Sequence, residues 1–148
     1  MTYLQLKTLV GTLLRGDTEI PPDNEFIMLL KYGLSEIAND ANALKLITAK
    51  TEGERILRNG PGNTFIRMPK EPEDDNEELD LDEELCYALA RYIAYFLSNT
   101  GKAKIHLMEA KNIINKYNQK VDAYFEELES QGRLSDGVST YGTRRYYD

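Results

Sequence analysis

Apolar residues recur along this chain with a helical period in four places and a strand-like period in one. Thr2 followed by Gln5 has the form of a capping box, and Leu6, Leu9, Val10, Leu13 and Leu14 follow at helical spacing until Gly16-Asp17. Pro21-Pro22-Asp23 restarts the chain. Asp23 is the expected N-cap of a second helix, with Phe26, Ile27, Leu30, Leu34, Ile37 and Ala38 on one face. Asn39, Asp40 and Asn42 weaken that helix, because their side chains compete for backbone groups. A third stripe, Leu85, Ala88, Leu89, Tyr92, Ile93 and Phe96, is expected to start under Asp80 or Asp82 as cap. Glu83 and Glu84 then favour its positive end, and Asn99-Thr100-Gly101 stops it.

The fourth helix is predicted from Lys102 past Glu127, closed by Gly132. Its stripe of Ala103, Leu107, Ala110, Ile114, Tyr117, Val121, Tyr124 and Leu128 alternates steps of four and three, a period of about 3.5. Such a helix packs lengthwise on a partner: the third helix, a neighbouring subunit, or both. Between the helical pairs the pattern changes. Leu44–Thr48 and Thr64–Met68 are short β-branched or aromatic runs, with Arg55–Arg58 and the breaker Asn59-Gly60-Pro61-Gly62-Asn63 between them. A small antiparallel β-element with a tight turn near Gly60–Gly62 follows, closed by Pro69 and Pro72. The predicted fold is mainly α: about four helices in a bundle, a small antiparallel β-hairpin insert, and an extended C-terminal tail. In domain terms, residues 1–131 form the helical unit, with the insert at about 44–69 and an acidic linker at 70–82, and residues 132–148 form the tail.

Composition changes this picture in one respect. The formal net charge of -7 is local, because ten acidic residues and no basic one lie between Glu71 and Glu84. The rest of the chain holds 15 acidic against 18 basic residues. The run reads as an exposed, solvated linker, or as a charged face for a basic partner. Basic residues and aromatics coincide only in the last few positions, so general nucleic-acid binding is disfavoured. A single cysteine, Cys86, allows no intrachain disulfide. No run approaches the ~20 apolar residues that span a bilayer, and the N-terminus has no secretory-signal pattern.

Catalytic and ligand chemistry is sparse. His106 is the only histidine, which excludes histidine-pair metal sites. Beside Leu107 on a stripe it reads as a structural, partly exposed residue. Cys86 with His106 as base would form a nucleophile pair, but Leu85-Cys86-Tyr87-Ala88 reads as a buried small hydrophobe. Asp74, Asn76, Glu78, Asp80 and Asp82 alternate like calcium-loop ligands without the glycine and flanking helices such a loop needs. The glycine-rich breaker lacks the helix and Gly-Lys-Ser/Thr of a phosphate cradle. The expectation is no enzyme, no cofactor and no metal. The tail from Leu134 to Asp148 carries Tyr141, Arg144, Arg145, Tyr146 and Tyr147, residue types enriched at interface hot spots, and reads as an arm that orders on a partner.

Taken together, two N-terminal helices, the insert ending NTFIRMP, and the segment LDLDEELCYALARYIAYFLSNTGKAKIHLMEAKNIINKYNQKVDAYFEEL resemble the head–tail connector (adaptor) proteins of tailed bacteriophages, in particular those of short-tailed phages. Asp82, Glu83, Leu89, Tyr92, Ala94, Ala103, Ala110, Tyr117 and Phe125 carry the match, and the resemblance covers roughly residues 1–130. It implies a helical bundle assembled as a ring, usually dodecameric, beneath the portal protein of the virion neck. Such a ring extends a channel through which dsDNA passes without specific binding, and it docks a tail or nozzle protein. It implies no membrane role. On this reading Tyr141, Arg144, Arg145, Tyr146 and Tyr147, with Tyr117, Val121 and Tyr124, form the portal and subunit interface. The acidic run is longer than the family pattern and becomes either a loop on the ring surface or part of the channel wall. The competing expectation is a small acidic helical regulator that binds a basic protein partner through Glu71–Glu84.

Overall fold

Thr2 closes the first helix as a capping box: its hydroxyl accepts the Gln5 amide at 3.2 Å, and the Gln5 side chain accepts the Thr2 amide at 2.9 Å. The computed structural model describes residues 1–42, 56–60 and 65–132. Helix α1 spans Tyr3–Leu13 and α2 spans Asp23–Asp40. Strands β1 (Ile56–Asn59) and β2 (Phe65–Arg67) follow, then α3 (Glu83–Leu97) and α4 (Lys102–Ser130). The mainly helical class and the two-stranded antiparallel hairpin are as the periodicity predicts. Gly16 and Gly132 have positive φ (81° and 65°) just past the ends of α1 and α4, a conformation that suits glycine.

Two details, the caps of α2 and α3, differ from the expectation. Pro22 occupies the N-cap position of α2 and Asp23 is its first residue. Asp23 therefore turns outward and accepts from the Tyr3 hydroxyl (3.0 Å) and Lys7 Nζ (3.2 Å). At α3, Asp82 sits at the cap by backbone but its carboxylate makes no capping bond, taking the Tyr117 hydroxyl instead. The hairpin pairs Ile56–Asn59 with Phe65–Arg67; the expected strand Leu44–Thr48, the turn residues Pro61–Asn63 and Thr64 lie outside the described residues.

Packing is organised on α3. Its residues Leu85, Cys86, Ala88, Leu89, Ala90, Tyr92, Ile93 and Ala94 are all buried, because α1, α2 and α4 each lie against it. Three of these are alanines, and short side chains let neighbouring backbones approach. Alpha-4 runs back along α3 as the second arm of a hairpin. Asp17, from the α1–α2 loop, holds the turn between them: it accepts the Ser98 hydroxyl, the Asn99 amide at 3.0 Å and the Thr100 hydroxyl at 3.1 Å. These bonds, the one from Ser98 foremost, hold the Asp17 carboxyl below the usual carboxylate range.

Where α2 crosses α3 the contact is at Gly33. A methyl group there would stand 2.6 Å from Leu89 Cδ1, and Leu89 is fully buried. Alanine in a helix ordinarily gains about 1 kcal/mol over glycine. Here overpacking of a confined leucine, typically about 1–3 kcal/mol, opposes that gain and exceeds it. Gly33→Ala is therefore expected to lower the chemical-denaturation midpoint with m unchanged, whereas a rise in the midpoint would show that Leu89 has room to move.

Candidate functional surfaces

The fourth-helix stripe is consumed inside the chain. Ala110, Ile114, Tyr117, Val121 and Phe125 of α4 are buried in the core shared with α3. Tyr117 and Val121 were expected at a subunit interface; at 4% and 1% exposure they offer another copy no side-chain surface, and that expectation is corrected. The reason is physical: a period of about 3.5 specifies lengthwise helix packing without saying which helix is the partner. Tyr124 does face outward, at 46% exposure, edge-on to the Phe125 ring. Tyr141, Arg144, Arg145, Tyr146 and Tyr147 lie outside the described residues.

The acidic run keeps most of its carboxylates exposed, as expected of a linker, but it is also a strap held to the bundle. Leu79 and Leu81 are buried, and Thr2 and Glu78 form an isolated antiparallel bridge. The first turn of α1 leaves amides without intrahelical acceptors, and the strap supplies them: Tyr3 N–H donates to the Glu77 carbonyl and Leu4 N–H to the Asp75 carbonyl, both at 3.0 Å. At least six of the ten acidic side chains are in ion pairs within the chain. Glu71 meets Lys31, Asp75 meets Lys7, Glu78 and Glu83 meet the Met1 ammonium, Asp80 meets Arg67, and Glu84 meets Lys120. The Arg67–Asp80 pair is bidentate, at 2.5 and 2.7 Å, and fastens the hairpin to the strap. Burial alone would raise the Asp80 carboxyl, but Arg67 and the Lys70 amide outweigh it and hold it low.

Cys86 and His106 are not brought together. The buried Cys86 thiol points at the Leu81 carbonyl, 3.9 Å away. Arg91 donates to His106 Nδ1 at 3.0 Å, so the neutral ring carries its proton on Nε2, which is buried without a partner. His106 is 4% exposed, more buried than its sequence context suggests.

The feature that sequence reasoning missed is a cleft of about 650 Å³ between α2 and α4, with Tyr92 of α3 among its lining. Its walls carry Asn39 and Asp40 at the end of α2, and Lys111, Asn115, Asn118 and Gln119 on α4. The α2 terminus is fixed there by outside donors. Asn118 Nδ2 donates to the Asp40 carbonyl at 2.9 Å, and the Arg58 guanidinium donates to the carbonyls of Asn39 and Ala41. Asn42 is tied in as well, its amide donating to Asn118 Oδ1 at 2.7 Å. The Tyr92 hydroxyl is buried and has no hydrogen-bond partner. Burial, then the nearby Asp40 and Glu36 carboxylates, push its pKa up to about 12. A polar face of carboxamides on α4, off the apolar stripe, was the available signal.

Nine large apolar side chains are exposed among the described residues; of these, Met28 and Tyr32 stand one turn apart on α2, and Ile105 and Met108 one turn apart on α4, while Leu4, Ile56, Tyr87, Phe96 and Tyr124 lie elsewhere. Among the described residues no helix is long and apolar enough to cross a membrane, and no three His, Cys, Asp or Glu side chains are grouped to hold a metal ion. The class defined is a mainly helical bundle carrying a two-stranded hairpin. No family model, curated protein or solved structure matches the chain.

His106 predicts a pH dependence. Burial, and then the Arg91 charge, depress its pKa below the ordinary 6.5, while Asp17 pulls weakly the other way and Lys102 adds to the depression. As pH falls the unfolded chain takes up this proton first, so folding stability is full above about 6.5 and declines as pH drops through it, levelling below the folded-state pKa. Urea midpoints of His106→Gln should lack this decline, while both chains still weaken once carboxylates protonate below about pH 4. An identical decline in the variant would remove His106 as its cause.

Proposed function

We propose that the chain is a structural, non-enzymatic head–tail adaptor of a tailed-phage virion. Copies assemble as a ring, dodecameric in the related pattern, beneath the portal protein, where they extend the DNA channel and dock a tail or nozzle protein. The resemblance of residues 1–130, strongest from Asp80 to Phe125, is where this reading starts.

The observation that carries it in three dimensions is the two exposed apolar pairs. A ring closes through heterologous contacts, in which one surface of a subunit meets a different surface of the next. Met28 and Tyr32 on α2, and Ile105 and Met108 on α4, are exposed apolar pairs on two different helices that both pack on α3, and we take them as the two unlike surfaces of such a contact. The strap supports the same reading against a sequestering regulator. Six of its ten carboxylates are engaged in ion pairs within the chain, which reduces what it can offer a basic partner. If the strap faces the lumen, the negative charge left on it repels passing DNA, which suits a conduit that must not grip.

Mixing purified chain with portal rings of the same virion, followed by size-exclusion chromatography with light scattering, tests the proposal. Stoichiometric addition of 16.9 kDa copies to the portal is the expected result. Tyr32→Glu and Met108→Glu should abolish that addition while shifting monomer stability by no more than about 0.5 kcal/mol, the usual range for surface substitutions. A wild-type chain that never joins the portal defeats the reading.

A further inference from the structure

We propose that the cleft between α2 and α4 is a guanidinium seat, and that its occupant is the C-terminal segment of this chain, with Arg144 or Arg145 entering beside Tyr92. The inference rests on reading the tail as an adhesive arm, and it names the surface the arm takes.

Charge points to a cation. The cleft lining holds the carboxylates of Asp40 and Asp122, the latter accepting from Asn42 Nδ2, against one lysine, Lys111; the carbonyl end of α2 is already met by the Arg58 guanidinium. Glu36, one turn before Asp40 on α2, reinforces the field, as its action on Tyr92 shows. The Asp40 carboxylate itself makes no hydrogen bond or ion pair with any described residue. A phosphate or carboxylate ligand would meet repulsion here.

Hydrogen bonding points to a guanidinium in particular. Arginine brings five N–H donors in a planar fork and no acceptor. The cleft lining carries acceptors of the kinds a guanidinium uses: the Asp40 carboxylate, carboxamide oxygens on Asn39, Asn115 and Gln119, and the phenol oxygen of Tyr92. Only the last is shut off from solvent, and it stands without a partner. A buried polar atom left unsatisfied destabilises the fold, and a donor arriving in the cleft relieves it. Lysine, with a single ammonium, cannot engage a set of this kind equally well.

Reach points to the chain's own tail. Alpha-4 ends at Ser130, twelve residues past Asn118, or about 18 Å along the axis at 1.5 Å per residue. Residues 133–148 span up to about 53 Å when extended, so Arg144 and Arg145 lie within range of the cleft. Neighbouring Tyr141, Tyr146 and Tyr147 supply the flat amphipathic rings that accompany arginine at interface hot spots.

The test uses full-length isotope-labelled chain carrying Arg144→Gln and Arg145→Gln, into which an unlabelled synthetic peptide of residues 133–148 is titrated and followed by NMR. Saturable shifts are expected at the side-chain amides of Asn39, Asn115 and Gln119. A peptide with both arginines changed to glutamine should bind about tenfold more weakly, as should the natural peptide on an Asp40→Asn receptor; the factor corresponds to one charge-assisted contact. Lys111→Glu, which removes the one lysine of the lining, should tighten binding. Asp40 and Lys111 are both exposed, so these variants keep the fold, and circular dichroism verifies it. Absence of saturable shifts at the cleft, equal binding by the glutamine peptide, or an unchanged affinity on Asp40→Asn would overturn the proposal. No portal is present in the experiment, so its failure leaves ring assembly untouched.

Discussion

The structure depends on the burial of α3. A helix surrounded on several sides must be apolar around most of its circumference and must present short side chains where neighbours cross. Leu85 to Ala94 meets both conditions, with leucines and an isoleucine filling volume and alanines letting α1, α2 and α4 come close. Gly33 on α2 extends the same logic to the other side of one crossing, its missing side chain occupied by Leu89. The bundle is thus one core, not two helical hairpins laid together. Loss of α3 contacts anywhere would expose all three partners at once.

Electrostatics closes what burial leaves open. The strap from Glu71 to Glu84 pairs with cations on α1, α2, β2 and α4, and its carbonyls complete the first turn of α1. Most of these pairs are half exposed and individually contribute little, about 0–1 kcal/mol each. Arg67–Asp80 is the exception, with both side chains mostly buried and two parallel hydrogen bonds. Position matters more than energy here. The strap fixes where the hairpin sits relative to α1 and α3.

Much of the fold was legible in the sequence because long stripes with clear punctuation survive tertiary context. The Thr2–Gln5 box, the Lys102 start and the Gly132 stop are all where local chemistry puts them. What failed, failed for identifiable reasons. Asp80 and Asp82 are both good capping residues, yet each found a stronger partner, Arg67 and the Tyr117 hydroxyl. Counting charge obscured Leu79 and Leu81, whose alternation with Asp80 and Asp82 is the period-two mark of a half-buried extended strap. Tyr117 and Val121 were legible as packing residues but not as intramolecular ones, since a heptad-like stripe is blind to whose helix it meets. Of the cleft, only the carboxamides off the α4 stripe were legible. Asn39, Asp40 and Asn42 read as helix-breaking residues, and only folding sets them opposite the carboxamides of α4.

Two buried polar atoms stand without partners among the described residues, Tyr92 Oη and His106 Nε2, and both border the α3–α4 seam. Their standing differs. The His106 ring is held by Arg91 on its other nitrogen, so its unpaired N–H comes with a compensating bond. Tyr92 has none: its ring already packs against Phe96, and phenylalanine would fill the same volume without burying a hydroxyl. A sequence that obeys its local rules almost everywhere departs from them here at a cost of about 1–3 kcal/mol. Departures of that kind concentrate where a surface has work to do. The unpaired phenol belongs to a side chain lining the largely polar cleft between α2 and α4, with an unengaged carboxylate in its wall, and on that coincidence the proposed guanidinium seat rests.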